Sequence, residues 1–375
     1  MIRAVDVMTI QAELPAPVVF GEWIMHTREF ALVRVQAEGR LSGYSYTLTR
    51  DGAVAEQIRK TIARLYVGTD VTHRERTFTL AWRRSLASHA AGIGLRALSI
   101  VDLACWDLAA RLEDRSIADL LGGSNRPMPA TAIVGYPPGT MGPEETAAQT
   151  AELYACGWRR FKAPIAATPE RTAGRLRAAR AAAPDAWIGM DAAWVYDEVD
   201  AAAEFVNSIP DVRLGWFEDV FPPGDAGKLR ALRDRTDVPI AQGDEQGGLY
   251  YPEALILAGA VDVVRVDLTC MGGITRGRAL IDQVLGAGLQ FAPHMFPHVH
   301  AQVMSGLGHT EVPIEWGVPF TGVHPMDDPL PQPTILEGGL MAALPEQEGF
   351  GHLIDAEWIR SQPHDDPAGI LADLA

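Results

Sequence analysis

Six short apolar runs in this chain stop on a side chain that can bind a metal or move a proton. They are Trp187–Asp191, Gly215–Glu218, Pro239–Asp244, Val263–Asp267, Gln290–His294 and Val312–Glu315. The terminal positions 191, 218, 244, 267, 294 and 315 lie 27, 26, 23, 27 and 21 residues apart. Each interval holds one strand, one helix and two short loops. A (β/α) barrel brings the C-terminal ends of all its strands to one rim. The spacing therefore predicts a single ring of Asp, Glu, Asp, Asp, His and Glu.

Asp191, Glu218 and Asp244 would end three consecutive strands. Three carboxylates so placed repel one another unless a cation lies among them. Oxygen donors of this kind suit Mg²⁺, which keeps positions open for water and substrate oxygens. Glu245 could replace Asp244 as the third ligand, because side-chain direction alternates along a strand and only one of the pair should face the ring. The other reading of these acids is that each caps the helix that follows it.

His294 and Asp267 would end adjacent strands. A carboxylate against one imidazole nitrogen fixes the tautomer and leaves the other nitrogen as a base. Glu315 is either a donor to a developing oxyanion or a supporting partner. Arg160 and Lys162 share the inward face of the second strand, where Lys162 either meets a substrate carboxylate or balances the acidic ring. Tyr136, near the end of the first strand, and His298, after the seventh, join Arg160 as candidates for substrate contact.

The elements that must position these groups can be followed along the chain. Residues 1–50 read as strands, with Val5, Val7 and Thr9 alternating and Phe30–Val35 repeating the pattern. The stretch from Pro15 to Arg28 reads as a loop carrying Phe20, Trp23, Met25 and His26. Residues 53–66, 72–87 and 96–112 read as helices. Strand and helix then alternate from Met128, which implies a parallel sheet. Glu144 and Glu145 mark the first turn of the first barrel helix. The Pro- and Gly-rich tail includes Pro333–Leu340, which reads as a hairpin and is expected to return to the first domain. The fold class is α/β: a (β/α)7–8 barrel over residues 125–325 with an α+β domain over 1–124 and a C-terminal segment, 326–375.

The 375 residues exceed what a barrel needs, by about a hundred. A formal net charge of −16 argues against nucleic acid and anionic membranes as partners. Three cysteines, Cys105, Cys156 and Cys270, fit no zinc or disulfide spacing, and a reduced cytoplasmic setting is expected. No apolar run is long enough to cross a bilayer.

Several stretches resemble the enolase superfamily, in its mandelate racemase-like branch. They are Leu98–Asp107, Leu120–Gly123, Gly215–Asp219 and Asp267–Thr275. The resemblance covers essentially the whole chain. It implies a modified TIM barrel capped by a domain built from both chain ends, and Mg²⁺ held by Asp191, Glu218 and Asp244. It implies the Asp267–His294 dyad as base and Glu315 facing the nascent enolate. Trp23, His26, Tyr44 and Tyr46 become specificity candidates on loops that close over substrate, and a homo-oligomer is expected. Relatives with two bases carry Lys-x-Lys at the end of the second strand, whereas this chain has Lys162-Ala163-Pro164. One base suffices for dehydration of an acid sugar to a 2-keto-3-deoxy acid, and that is the expected reaction. A racemase or epimerase using Lys162 is the alternative. A zinc hydrolase drawing on His294, His298 and His300 would need an early histidine pair that the chain lacks, and a non-catalytic acid-sugar binder is the remaining reading.

Overall fold

The computed structural model describes residues 1–20, 23–39, 41–84, 86–246, 248–351 and 354–374, without the side chains of Phe20 and Trp23. The N-terminal domain is an antiparallel sheet of β1 (Ile2–Phe20), β2 (Trp23–Ala37) and β3 (Ser42–Leu48). Helical residues 54–66, then α1 (Arg74–Arg84) and α2 (Gly92–Leu112), cover one face. Val5, Val7, Val33 and Val35 pack on that side with Ile58, Phe78, Leu98 and Val101. Met8, Ile10, Phe30, Leu32 and Tyr46 point to the other face and join the core of the barrel. Burial on both faces is why Phe30–Val35 reads as a nearly unbroken apolar run.

The stretch 15–28, expected as a loop, is mostly strand. Ladder pairing runs to Glu13↔Thr27, shifts register, and resumes from Val18↔Met25 to Phe20↔Trp23. Pro15 and Pro17 lie in the bulge. Proline has no N–H to give a ladder, so the pairing skips them and the alternation continues beyond. The two strands therefore stay paired as far as Phe20 and Trp23, with Val18 and Met25 buried.

Eight parallel strands form the barrel: β4 (Met128–Ile133), β5 (Arg160–Pro164), β6 (Trp187–Asp191), β7 (Trp216–Glu218), β8 (Ile240–Gln242), β9 (Val263–Val266), β10 (Gln290–Pro293) and β11 (Ile314–Gly317). Their order is β10-β9-β8-β7-β6-β5-β4-β11, so the cylinder is nearly closed, with no ladder between β10 and β11 among the described residues. The helices between them are α3 (Pro143–Ala155), α4 (Pro169–Ala182), α5 (Val199–Asn207), α6 (Ala226–Arg233), α7 (Tyr251–Leu257), α8 (Gly273–Gly286) and α9 (Pro297–Leu307). The tail divides. Its hairpin at 334–342 contributes β12 (Leu340–Met341), which pairs with β4 of the barrel, not with the first domain. Further on, β13 (His364–Asp365) pairs with β1.

The two domains are locked by α2 against α8. The Asp102 carboxylate accepts from the Thr275 N–H at 2.9 Å and the Thr275 hydroxyl at 2.6 Å. Gly273 has φ +62°, and a Cβ there would lie 2.3 Å from Asp102 Oδ2. Only glycine permits both the turn and the approach. This contact fixes how the sheet domain sits over the strand ends.

Candidate active site

The C-terminal strand ends and the sheet domain enclose a cavity of ≈ 280 Å³. Its floor carries Lys162, Asp191, Asp219, Asp244, His294 and Glu315. Arg28, Leu48 and Arg50 reach it from the sheet domain, and Tyr136 and Trp194 stand at its wall.

Glu218, Asp219 and Asp244 bring carboxylate oxygens within 4.8 Å of one another, and all three are buried. Burial pushes the Asp219 and Asp244 carboxyls well above the ordinary range, and neighbouring carboxylates add to the shift. Burial raises Glu218 to about 7, against the pull of Arg265 and Lys162. Glu218 Oε2 and Asp219 Oδ2 are buried without a hydrogen-bond partner. Crowded oxygen donors with free lone pairs suit a hard divalent cation. Asp191 stands slightly apart. Its Oδ1 accepts from the Ala193 N–H at 2.9 Å and its Oδ2 lies 3.6 Å from Lys162 Nζ.

Asp219 was not legible as a site residue. Alternation after Glu218 would send it outward, but its φ of +47° turns the chain and brings its carboxylate back. Of the next pair, Asp244 lines the cavity and joins the cluster and Glu245 does not, although both approach His294. β8 ends at Gln242, and Gly243 (φ +137°) and Asp244 (φ +30°) turn the backbone. Both acids then flank His294: Asp244 Oδ2 lies 3.5 Å from Nε2, and Glu245 Oε1 lies 3.7 Å from Nδ1. Asp267 Oδ2 is 3.9 Å from Nδ1. Glu245 is bound by two cations, with Arg96 Nη2 at 2.8 Å and Arg50 Nε at 2.9 Å. Burial would raise Glu245, but Arg50 and Arg96 outweigh it and hold the carboxyl well below its usual range.

Two cations stand inside the acidic ring. Lys162 Nζ donates to Glu218 at 3.1 Å and to Glu315 at 2.9 Å. Burial opposes its charge, yet Glu218 and Glu315 prevail and raise its pKa. Arg265 is fully buried and reaches Glu315 at 2.6 Å, Glu218 at 3.0 Å and Asp244 at 3.4 Å. Sequence reading missed it, although an arginine two places before Asp267 in an apolar strand shares that residue's inward face. For Glu315 burial would raise the pKa, but Arg265 and Lys162 hold it at about 2.

The remaining candidates fall as follows. Tyr136 lines the cavity, its oxygen accepting from Arg28. Arg160 lies lower in β5, its guanidinium 3.9 Å from the Trp187 ring centre and outside the cavity lining. Tyr46 is buried, donates to Asp327, and packs against Phe296. His298 is buried with its ring 5.1 Å from that of Trp316. Tyr44 borders a different cleft with Arg3, Ser42 and Arg111. His26 is exposed opposite the β1 bulge. The Trp23 side chain lies outside the described residues.

Residues 4–122 match the model of the mandelate racemase/muconate lactonizing enzyme N-terminal domain, and residues 145–358 match the enolase C-terminal domain-like model. The chain belongs to the mandelate racemase/muconate lactonizing enzyme family. Within the enolase superfamily it is 26% identical over 346 residues to L-rhamnonate dehydratase of Saccharopolyspora erythraea, covering 89% of this chain and 85% of that one. It is 24% identical over 304 residues to D-galactarolactone cycloisomerase of Agrobacterium fabrum, covering 79% and 78%. A racemase from Streptomyces coelicolor A3(2), solved with bound magnesium, superposes with a TM-score of 0.85 at 21% identity, covering 97% of this chain and all of that one. The family's two-domain fold is thus the fold of this chain.

Proposed function

We propose that this chain removes the proton α to a carboxylate and dehydrates an acid sugar to a 2-keto-3-deoxy acid. The observation that carries the reading is that His294 stands in the cavity beside the acidic cluster, its Nε2 3.5 Å from Asp244 Oδ2, while among the described residues no second free base lines the cavity. Lys162, the one other candidate, spends its protons on Glu218 and Glu315, and residue 164, where two-base relatives place a second lysine, is proline.

Asp191, Glu218 and Asp244 would hold Mg²⁺, with Asp219 beside them. A divalent ion there would offset the negative charge that builds on the substrate carboxylate as its α-proton leaves. Asp267 and Glu245 both flank His294 Nδ1, and Asp244 lies 3.5 Å from Nε2; with Asp244 engaged by the metal, the pair at Nδ1 would favour a proton there and leave Nε2 as the base. Nε2 takes the α-proton. The imidazolium then returns it to the departing β-hydroxyl, which leaves as water, and the enol tautomerises to the keto acid. Lys162, with one N–H beyond the two given to Glu218 and Glu315, would turn it toward the substrate carboxylate. Glu315, ionised between Lys162 and Arg265, orients both cations and is not itself the proton donor.

A dehydratase name and a magnesium-bound structure among its relatives support this reading. Incubation of the Mg²⁺-loaded protein with a panel of aldonates and aldarates, read by keto-acid release, tests it. Recovery of deuterated substrate of inverted configuration from D₂O, without keto acid, would instead establish the racemase or epimerase alternative.

A further inference from the structure

The part of the cavity lined by the sheet domain has a chemistry that the reaction above does not use. Arg28 lies on β2, only 7% exposed, and lines the cavity. Its Nε donates to the Gly322 carbonyl at 3.0 Å and its Nη2 to the Tyr136 oxygen. Among the described residues no carboxylate lies in ion-pair contact with it. A guanidinium carries five N–H donors, so most of those on Arg28 remain unspent. Burial depresses its pKa and Arg50 adds to that, while Tyr136 and the more distant Glu245 offset only part of it. Burying a cation without an anion costs several kcal/mol, a cost that an incoming anion would offset.

The groups around Arg28 do not supply that anion. Arg28, Arg50 and Arg96 share one carboxylate, Glu245, which Arg50 and Arg96 already occupy. Tyr136 accepts from Arg28 through its oxygen, so the phenol proton is free to donate. The wall beside them is apolar: Leu48, Ile133, Val323 and Met295. This end of the cavity therefore offers donors and few acceptors. A hydroxyl placed there would have few acceptors for its own proton, since the Gly322 carbonyl and the Tyr136 oxygen already accept from Arg28. A carboxylate, which only accepts, leaves nothing unpaired.

We propose that Arg28, with Tyr136, receives a second carboxylate at the far end of the substrate, so that the acid this site takes is a dicarboxylate. The inference rests on the reading of the site given under Proposed function, in that the first carboxylate lies at the acidic cluster and Lys162.

Matched pairs test it: glucarate against gluconate, and galactarate against galactonate. Binding to the Mg²⁺-loaded His294→Asn variant by calorimetry reads recognition without turnover. The diacid of at least one pair should bind about tenfold more tightly than its monoacid, the scale of one charge-assisted hydrogen-bonded pair. Arg28→Gln should erase that preference while changing monoacid affinity by less than roughly threefold. Arg28→Lys, which keeps the charge and loses the fork, should retain part of it. A merely structural Arg28 would weaken both members of a pair alike. Equal affinities within both pairs, a preference that survives Arg28→Gln, or no binding of either member would overturn the proposal. So would tighter binding of gluconate 6-phosphate than of either diacid, which would make the second anion a phosphate. The two readings fail separately. Dehydration of monoacids as readily as diacids sinks this inference alone, and absence of keto acid from the wild type sinks the dehydratase reading while the binding ratio remains measurable.

Discussion

His294 Nδ1 lies 3.9 Å from Asp267 Oδ2, and both atoms are buried without a hydrogen-bond partner. The gap exceeds a hydrogen bond by about an ångström. Apo sites often hold such pairs loosely and tighten them when substrate binds. Replacing His294 with Asn should lower kcat by about 10³-fold or more, in the range expected for loss of an acid–base group. Mg²⁺ affinity, read by calorimetry, should stay within roughly threefold of wild type. Asp267→Asn should lower kcat by about 10²-fold with little change in KM, because it disturbs the imidazole and not the substrate. Retained dehydration in the His294 variant would end its assignment as the base.

The metal prediction separates four acids. Glu218→Gln and Asp244→Asn should each weaken Mg²⁺ binding by at least about tenfold. Asp191→Asn should do the same, because its Oδ2 has only Lys162, at 3.6 Å, as a neighbouring donor. Asp219→Asn should cost less. Its Oδ1 accepts from Gly243 N–H at 3.2 Å and Gln246 at 3.4 Å, so it braces the turn after β7, while its unpartnered Oδ2 lies beside Glu218 and Asp244. Calorimetry on protein stripped with chelator measures all four. A larger loss from Asp219→Asn than from Asp191→Asn would exchange their roles.

Which of these groups the sequence disclosed follows from backbone geometry. Asp191, Glu218, Asp267, His294 and Glu315 sit on or just after strands, where a period of two predicts direction. Asp219 and Asp244 have left-handed backbone beyond the strand ends, where that period stops predicting direction. Arg265 obeyed the strand rule and was readable from it. Arg28 did not announce itself, because its placement depends on Gly322, 294 residues away, meeting it. The tail hairpin was visible from its glycines and prolines. Its partner, β4, was not, because local turn chemistry carries no information about which sheet edge is free.

Arg265 gives a prediction in stability. Its guanidinium contacts Glu218, Asp244 and Glu315 together, and its carbon lies 5.1 Å from the centre of the Trp216 ring. Removing one side of a buried ion pair leaves uncompensated charge and costs about 3–5 kcal/mol. Arg265→Met should therefore lower the melting temperature of metal-free protein clearly. Added Mg²⁺ should restore part of the loss, since an ion bound only by folded protein shifts the equilibrium by mass action. Scanning calorimetry with and without Mg²⁺ reads both effects. A variant as stable as wild type without metal would show that Lys162 alone balances the ring.

The domain contact makes a prediction in pH. Burial raises the Asp102 carboxyl to about 7, although the Thr275 N–H and hydroxyl pull it down. In the unfolded chain the same group titrates near 4. The folded state therefore binds the extra proton between these values. The stability that this proton provides is full below pH 4 and is lost as pH rises through 7, by about 1.4 kcal/mol per pH unit within the window. Asparagine at 102 can keep an acceptor for the Thr275 N–H and donate to the hydroxyl, yet it does not titrate. The Asp102→Asn variant should therefore gain on wild type as pH rises from 5 to about 7.5. Melting temperatures of the two proteins across that range measure the difference. Curves that run parallel would mean that Asp102 is ionised in the folded protein throughout, its charge carried by Thr275 and the start of α8.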